Sequence, residues 1–131
     1  LFISMDKIVS KKGLNPAIRT IAMPADSNAN GDIFGGWLLS QMDIAGGVEA
    51  SNKCNGRCVT IAIEAMKFYK PVYIGDLVSI YAKVTKVGKT SMTIDIDAIS
   101  SRKLTGEEVK VTSGTFVYVA IDDSGRPRNV V

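Results

Sequence analysis

Histidine is absent from this chain, and that absence limits its chemistry more than any residue present. Without an imidazole, a Ser-His-Asp triad and a Cys-His pair are excluded in their usual forms. Cysteine is nearly missing too: Cys54 and Cys58 flank Asn55-Gly56-Arg57 and have no further pair. A structural zinc site takes about four ligands, which this composition does not supply. The two cysteines read as reduced structural thiols, and neither metal nor cofactor is implied. No apolar run approaches the roughly 20 residues of a membrane-crossing helix, so no membrane insertion is expected. The opening Leu1-Phe2-Ile3-Ser4-Met5 is too short for a signal-peptide core and lacks a charged segment ahead of it. The expectation is a cytoplasmic protein, with Met5 as a candidate start. Charge of one sign is never blocked: 16 Lys and Arg against 13 Asp and Glu are scattered, for a net charge of +3. Nucleic-acid proteins carry a basic stripe or an aromatic-plus-basic motif; Tyr69, Tyr73, Tyr81 and Tyr118 fall in or beside strand patterns without one. A small phosphorylated ligand fits the mild positive balance at least as well, and most of the sixteen cations read as solubilising surface charge.

The 131 residues are enough for one domain with its own core, taken as residues 1–131. A short strand is predicted over residues 17–23 and is stopped by Pro24. Asp26, Ser27, Asn28, Asn30 and Gly31 make turn chemistry. From about 36 to 52 the apolar spacing becomes helical, with Trp37, Leu38, Ile44, Ala45 and Val48 mostly three or four apart. Asp32 is the expected N-terminal cap of that helix. Gly46-Gly47 inside it costs about 1 kcal/mol per glycine relative to alanine, which implies that something approaches the backbone closely there, either a second helix or an acyl chain. Four long strands follow, over residues 58–69, 77–87, 91–103 and 109–121. In the third, Met92, Ile94, Ile96 and Ala98 alternate with Thr93, Asp95 and Asp97. Strands of this length exceed the usual five or six residues. Taken in consecutive antiparallel order with a single helix to cover, they predict an α+β fold in which a curved sheet wraps one central helix, the hot-dog architecture. Arg126-Pro127-Arg128 reads as an exposed basic tail.

The most informative stretch is the glycine-rich turn that runs into the helix. Bare N–H groups at a helix start attract negative charge. A carboxylate on a mostly apolar helix face is costly unless paired or used, and Asp43 lies two turns inside. Together they suggest a site that binds a carbonyl oxygen and attacks the carbonyl carbon. Gly36 and Asp43 are seven residues apart, on one helix face but roughly 10.5 Å apart along the axis. One carbonyl needs donors and attacker within about 3 Å of it. A single helix cannot provide both, whereas two antiparallel copies would bring Gly36 of one near Asp43 of the other. The site is therefore expected between protomers of a symmetric dimer.

The residues Pro24-Ala25-Asp26-Ser27-Asn28-Ala29-Asn30-Gly31-Asp32-Ile33-Phe34-Gly35-Gly36-Trp37, followed by Ser40-Gln41-Met42-Asp43, resemble the signature of YciA-type acyl-CoA thioesterases. Phe68-Tyr69-Lys70-Pro71-Val72, Gly75-Asp76, Lys86-Val87-Gly88-Lys89-Thr90-Ser91 and Gly125-Arg126 match as well. The resemblance spans about residues 17–128 and leaves residues 1–12 outside as an N-terminal extension. It implies a hot-dog fold, acyl-CoA hydrolysis, and assembly from dimers, commonly a trimer of dimers.

On that reading the N–H groups of Gly35 and Gly36 form an oxyanion hole for the thioester oxygen. Asp43 of the neighbouring subunit acts as general base or as nucleophile. Asn28 or Asn30 orients water or the carbonyl. Coenzyme A carries several phosphate charges, for which the turn Gly88, Lys89, Thr90 and Ser91 is the best local candidate. Arg126 is a further one, with Arg57, Lys67, Lys70 and Arg128 behind it. Phe34 borders the substrate; Thr60 and Glu64, read as sharing one face of their strand, place polar groups near the pocket. The alternative is a non-catalytic acyl-CoA-sensing domain on the same fold, for which Asp43 need not be ionised. Hot-dog dehydratases generally rely on a histidine, which this chain lacks.

Overall fold

The computed structural model describes residues 15–131; Met5 and the extension 1–12 lie outside the described residues. β1 (Ile18–Ile21) is followed by a 3-10 turn at Pro24–Asp26 and by helix α1 (Gly35–Cys54). Four long strands complete the chain: β2 (Cys58–Phe68), β3 (Leu77–Val87), β4 (Ser91–Ser101) and β5 (Glu108–Ala120). All pairings are antiparallel, and the strands form one sheet in the order β1-β3-β4-β5-β2. The helix lies against β2, β3, β4 and β5. This is the expected single helix on a five-stranded antiparallel sheet.

The alternation in β4 explains where the core sits. Met92, Ile94, Ile96 and Ala98 are fully buried, while Asp95 is exposed and Thr93 and Asp97 half-buried on the other face. They meet Leu38, Met42, Ala45, Ala50 and Cys54 of α1, together with Val78, Ile80, Phe116 and Tyr118. Burying each large aliphatic or methionine side chain stabilises the fold by about 1.5–3 kcal/mol. The opposite flank of α1 leaves Ile44 and Val48 exposed.

Three sequence expectations change here. The strands do not pair in consecutive order: β1 takes the edge beside β3, Ile18 opposite Ile80, so β2 crosses to the far edge and pairs with β5. Asp32 does not cap the helix; Phe34 is the N-cap residue, without a side-chain cap, and Asp32 forms an isolated bridge with Tyr73. The basic tail is not uniformly exposed either. Arg128 folds back to donate to the carbonyls of Ile121 at 2.9 Å and Cys54 at 3.0 Å, satisfying an orphan carbonyl at the end of α1. Asn55, left-handed with φ 53°, ends that helix.

The segment between β2 and β3 is pinned from below. Asp76, 2% exposed, accepts from Tyr73 N at 2.9 Å and Arg102 Nη1 at 2.5 Å. Arg102 also donates to the Pro71 carbonyl and covers the Tyr73 ring. Removing one partner of such a buried pair costs about 3–5 kcal/mol.

Candidate active site

Helix α1 carries two unlike polar regions. Its first turn is bare. Trp37 N and Leu38 N donate to the Phe34 carbonyl, but the N–H groups of Gly35 and Gly36 donate to nothing among the described residues. Both glycines are exposed. A Cβ on Gly36 would meet nothing within 4 Å, and one on Gly35 only the Phe68 ring at 3.5 Å, an ordinary contact. The folded chain thus has room for a side chain at both positions. What the glycines preserve is access to the backbone donors.

Gly35 opens on a cleft of about 400 Å³ lined by Asn28, Phe34, Leu38, Phe68, Pro71 and Val72, among others. Asn28 is fixed in it by its own turn: its Oδ1 accepts from Asn30 N at 2.9 Å and Asp32 N at 3.2 Å. Its Nδ2 is the donor left over. Asn30 does not line this cleft. The loop held by Asp76 and Arg102 forms the opposite wall through Pro71 and Val72.

The second region is Asp43, two turns on, and here one carboxylate oxygen and the backbone carbonyl are both engaged. Thr60 Oγ1 donates to Asp43 Oδ1 at 2.6 Å. The Tyr118 hydroxyl lies between the Asp43 carbonyl at 2.8 Å and the same Oδ1 at 3.0 Å. Oδ2 accepts nothing among the described residues. Burial pushes the Tyr118 hydroxyl well above the ordinary phenol range; the Asp43 charge and the bond to it push the same way, against a smaller opposing effect of Thr60. The phenol therefore stays a neutral donor. Asp43 opens on a cleft of about 540 Å³ that follows α1 through Gly47, Val48, Ser51 and Asn52, and includes Cys58, Thr60 and Tyr118. Cys54 and Cys58 are free thiols.

The two regions do not meet. Asp43 lines one cleft and Gly35 another, as the roughly 10 Å of helix between them requires. Thr60 comes to Asp43; Glu64 does not. A bulge between Thr60 and Ala62 shifts the alternation of β2, so Thr60 pairs with Tyr118 whereas Glu64 pairs with Thr115, an odd step along β5 and hence its other face. Gly88, Lys89, Thr90 and Ser91 form the β3–β4 turn, closed by Gly88 N to Ser91 O at 2.8 Å. The terminal segment lies beside that turn, with Val130 N bonded to the Lys89 carbonyl. Arg126 is exposed in the adjoining turn, its N–H on Asp122 Oδ1. These cationic groups sit at the sheet end toward which the Asp43 cleft runs, since Cys58 pairs with Ala120 and Ala120 N reaches the Thr90 carbonyl.

Tyr118 escaped the sequence reading. The signal for it was Gly46, inferred there to accept a second helix or an acyl chain. Within the chain the close neighbour is Tyr118: a Cβ on Gly46 would lie 2.1 Å from its hydroxyl oxygen. Among the described residues no group of three or more His, Cys, Asp or Glu could hold a metal, and no helix is long and apolar enough to cross a membrane.

The sequence pattern of the thioesterase superfamily matches residues 30–107. The acyl-CoA thioester hydrolase YciA of Salmonella typhimurium is 50% identical over 115 residues, covering 85% of this chain and 86% of that protein. YciA of Escherichia coli is 49% identical over the same shares. Among solved structures, a hexameric thioesterase from Yersinia pestis has 49% identity and a TM-score of 0.85, covering 89% of this chain and 95% of that one. A hexameric broad-specificity acyl-coenzyme A thioesterase has 42% identity and a TM-score of 0.86, with coverages of 92% and 84%. The chain belongs to the thioesterase superfamily, and within it to the YciA acyl-CoA thioester hydrolases.

Proposed function

We propose that this protein hydrolyses acyl-CoA thioesters to a free carboxylic acid and coenzyme A, at a site completed by two copies of the chain and without metal or cofactor. One observation carries the two-copy site. The unbonded N–H pair of Gly35 and Gly36 and the carboxylate of Asp43 lie on one helix, too far apart to serve one carbonyl, and open into separate clefts. A second helix running antiparallel closes that gap in both directions at once, giving two equivalent sites.

In that arrangement the thioester oxygen sits on the Gly35 and Gly36 N–H groups, where the helix N-terminus favours the charge of the tetrahedral intermediate. Asn28 Nδ2, rather than Asn30, is the extra donor on that side. Asp43 from the partner takes a proton from water or attacks the carbonyl carbon itself. As base, Asp43 takes the proton of a water whose oxygen forms the new C–O bond, the C–S bond breaks, and the leaving thiolate takes up that proton. As nucleophile, Asp43 forms an acyl anhydride as the thiolate leaves. Water then cleaves the anhydride, which releases the acid, restores the carboxylate and supplies the thiolate's proton. The turn around Lys89, with Arg126, receives phosphates of coenzyme A.

Support for the dimer comes from the surface. β2 is an edge strand whose outer side has no partner strand among the described residues, and Val59, Ile61 and Ile63 on it are 43%, 58% and 42% exposed. Ile44 and Val48 of α1 are exposed as well. An apolar strand edge of this kind invites pairing. A hexamer of three such dimers is the assembly proposed; the two solved relatives described above are hexameric. Reduced cysteines suit a cytoplasmic location.

The test is release of free coenzyme A from acyl-CoAs of increasing chain length by the native protein and Asp43→Asn. Turnover that falls by about 100-fold or more in the variant supports the reading. Binding without turnover by the native protein would overturn it.

A further inference from the structure

The carboxylate of Asp43 has two oxygens with different surroundings. Two hydroxyls, from Thr60 at 2.6 Å and Tyr118 at 3.0 Å, converge on Oδ1, and Oδ2 is left without a partner among the described residues. Tyr118 reaches Asp43 from β5, directly opposite Thr60 on the neighbouring strand, and is only 1% exposed. Its hydroxyl touches the backbone carbonyl of Asp43 as well, so one group ties the carboxylate to its own helix turn. That approach is possible only because position 46 is glycine. A methyl group there would stand 2.1 Å from the Tyr118 hydroxyl and 2.8 Å from its ring carbon. Helix α1 keeps a poor helix former at a buried position for no other visible reason: the remaining close neighbour is the flexible end of Ile96.

We propose that Tyr118, admitted by Gly46, is a positioning residue for hydrolysis. It clamps Asp43 Oδ1 so that Oδ2 alone faces the thioester and the attacking water. The inference rests on the assignment of Asp43 to the chemistry. Rotation about the last side-chain bond of an aspartate would otherwise exchange the two oxygens and blur their direction. Two donors on one oxygen remove that freedom before substrate arrives, which is the preorganisation a reacting group requires. As a neutral phenol, Tyr118 donates a bond without adding charge.

The experiment is steady-state hydrolysis of one acyl-CoA by the native protein, Asp43→Asn, Tyr118→Phe, Gly46→Ala and the double variant Asp43→Asn/Tyr118→Phe. Tyr118→Phe keeps the ring and its packing, and a thermal melt checks its fold. A group acting through Asp43 should lower kcat roughly tenfold or more while KM stays within about twofold. Gly46→Ala, which keeps the phenol but denies it room, should lose kcat on the same scale. In the Asp43→Asn background the loss of the phenol should change nothing further, because there is no reacting oxygen left to aim. The proposal is overturned if Tyr118→Phe keeps native kcat, or if it reduces the residual activity of Asp43→Asn by the same factor as it reduces the native rate. Full activity of Asp43→Asn itself would strike the underlying assignment instead, and so is told apart from both.

Discussion

The first turn of α1 and the turn that carries Asp43 belong to one helix, yet they are built on opposite plans. At the start stand two glycines, no side-chain cap, and two N–H groups with no acceptor among the described residues. Two turns later the carboxylate is held by hydroxyls from two strands, and one of them needs a glycine to fit. The same residue type thus serves two purposes. Gly36 leaves the helix backbone uncovered, whereas Gly46 opens the helix to a side chain of its own protein. On the function proposed above, the helix end and the carboxylate are each half of a site, and each has what the other lacks.

Substitutions can separate the two halves. The largest effect should come from the tied half: Asp43→Asn should cut kcat by about 100-fold or more with a melting temperature close to native. Thr60→Val should follow, with a kcat loss of roughly tenfold, since the Oδ1 contact at 2.6 Å disappears. At the bare half the two properties should move apart. Gly36→Ala meets open space, so stability should stay level or rise by up to about 1 kcal/mol, measured by urea unfolding. Turnover should nevertheless fall several-fold because the methyl group stands where the ligand approaches. A matched loss of stability and turnover would mean that Gly36 serves the fold.

The smallest effect is one of pH. Tyr118 is raised above its ordinary pKa of 10.0 by burial and by Asp43. Above that pH the unfolded chain loses the phenol proton while the folded chain keeps it, so stability falls as pH rises. Tyr118→Phe lacks this contribution. Its unfolding midpoint should drop less than that of the native protein between about pH 9 and about pH 11.

The contrast also marks what the sequence could convey. Features set by near neighbours were legible: the helix expected over 36–52 spans Gly35–Cys54, and β3 runs over Leu77–Val87 as expected. The turn around Asn28 and the glycine-rich helix start follow from local chemistry too. Features set by distant residues were not. β2 pairs with β5 because β1 already holds the edge of β3, which no spacing within β2 reveals. One bulge beside Thr60 separates it from Glu64, and a two-residue period cannot anticipate an inserted residue. Gly46 announced a close approach without naming Tyr118, which is 72 positions away in the sequence. Arg128 turned inward for a similar reason, since one of its acceptors, the Cys54 carbonyl, lies at the far end of α1.

The central claim is that the halves come from different copies of the chain, and mixed oligomers test it directly. Asp43→Asn and Gly36→Leu, each expected to be inactive alone, are denatured together and refolded as a mixture. If the halves are contributed by different protomers, a mixed dimer contains one site with both halves intact. About half of randomly formed dimers are mixed and each has one working site of two, so the mixture should regain roughly a quarter of native activity. If each site is built within one chain, every site in the mixture keeps a defect, and activity that stays at the level of the two separate variants would contradict the account.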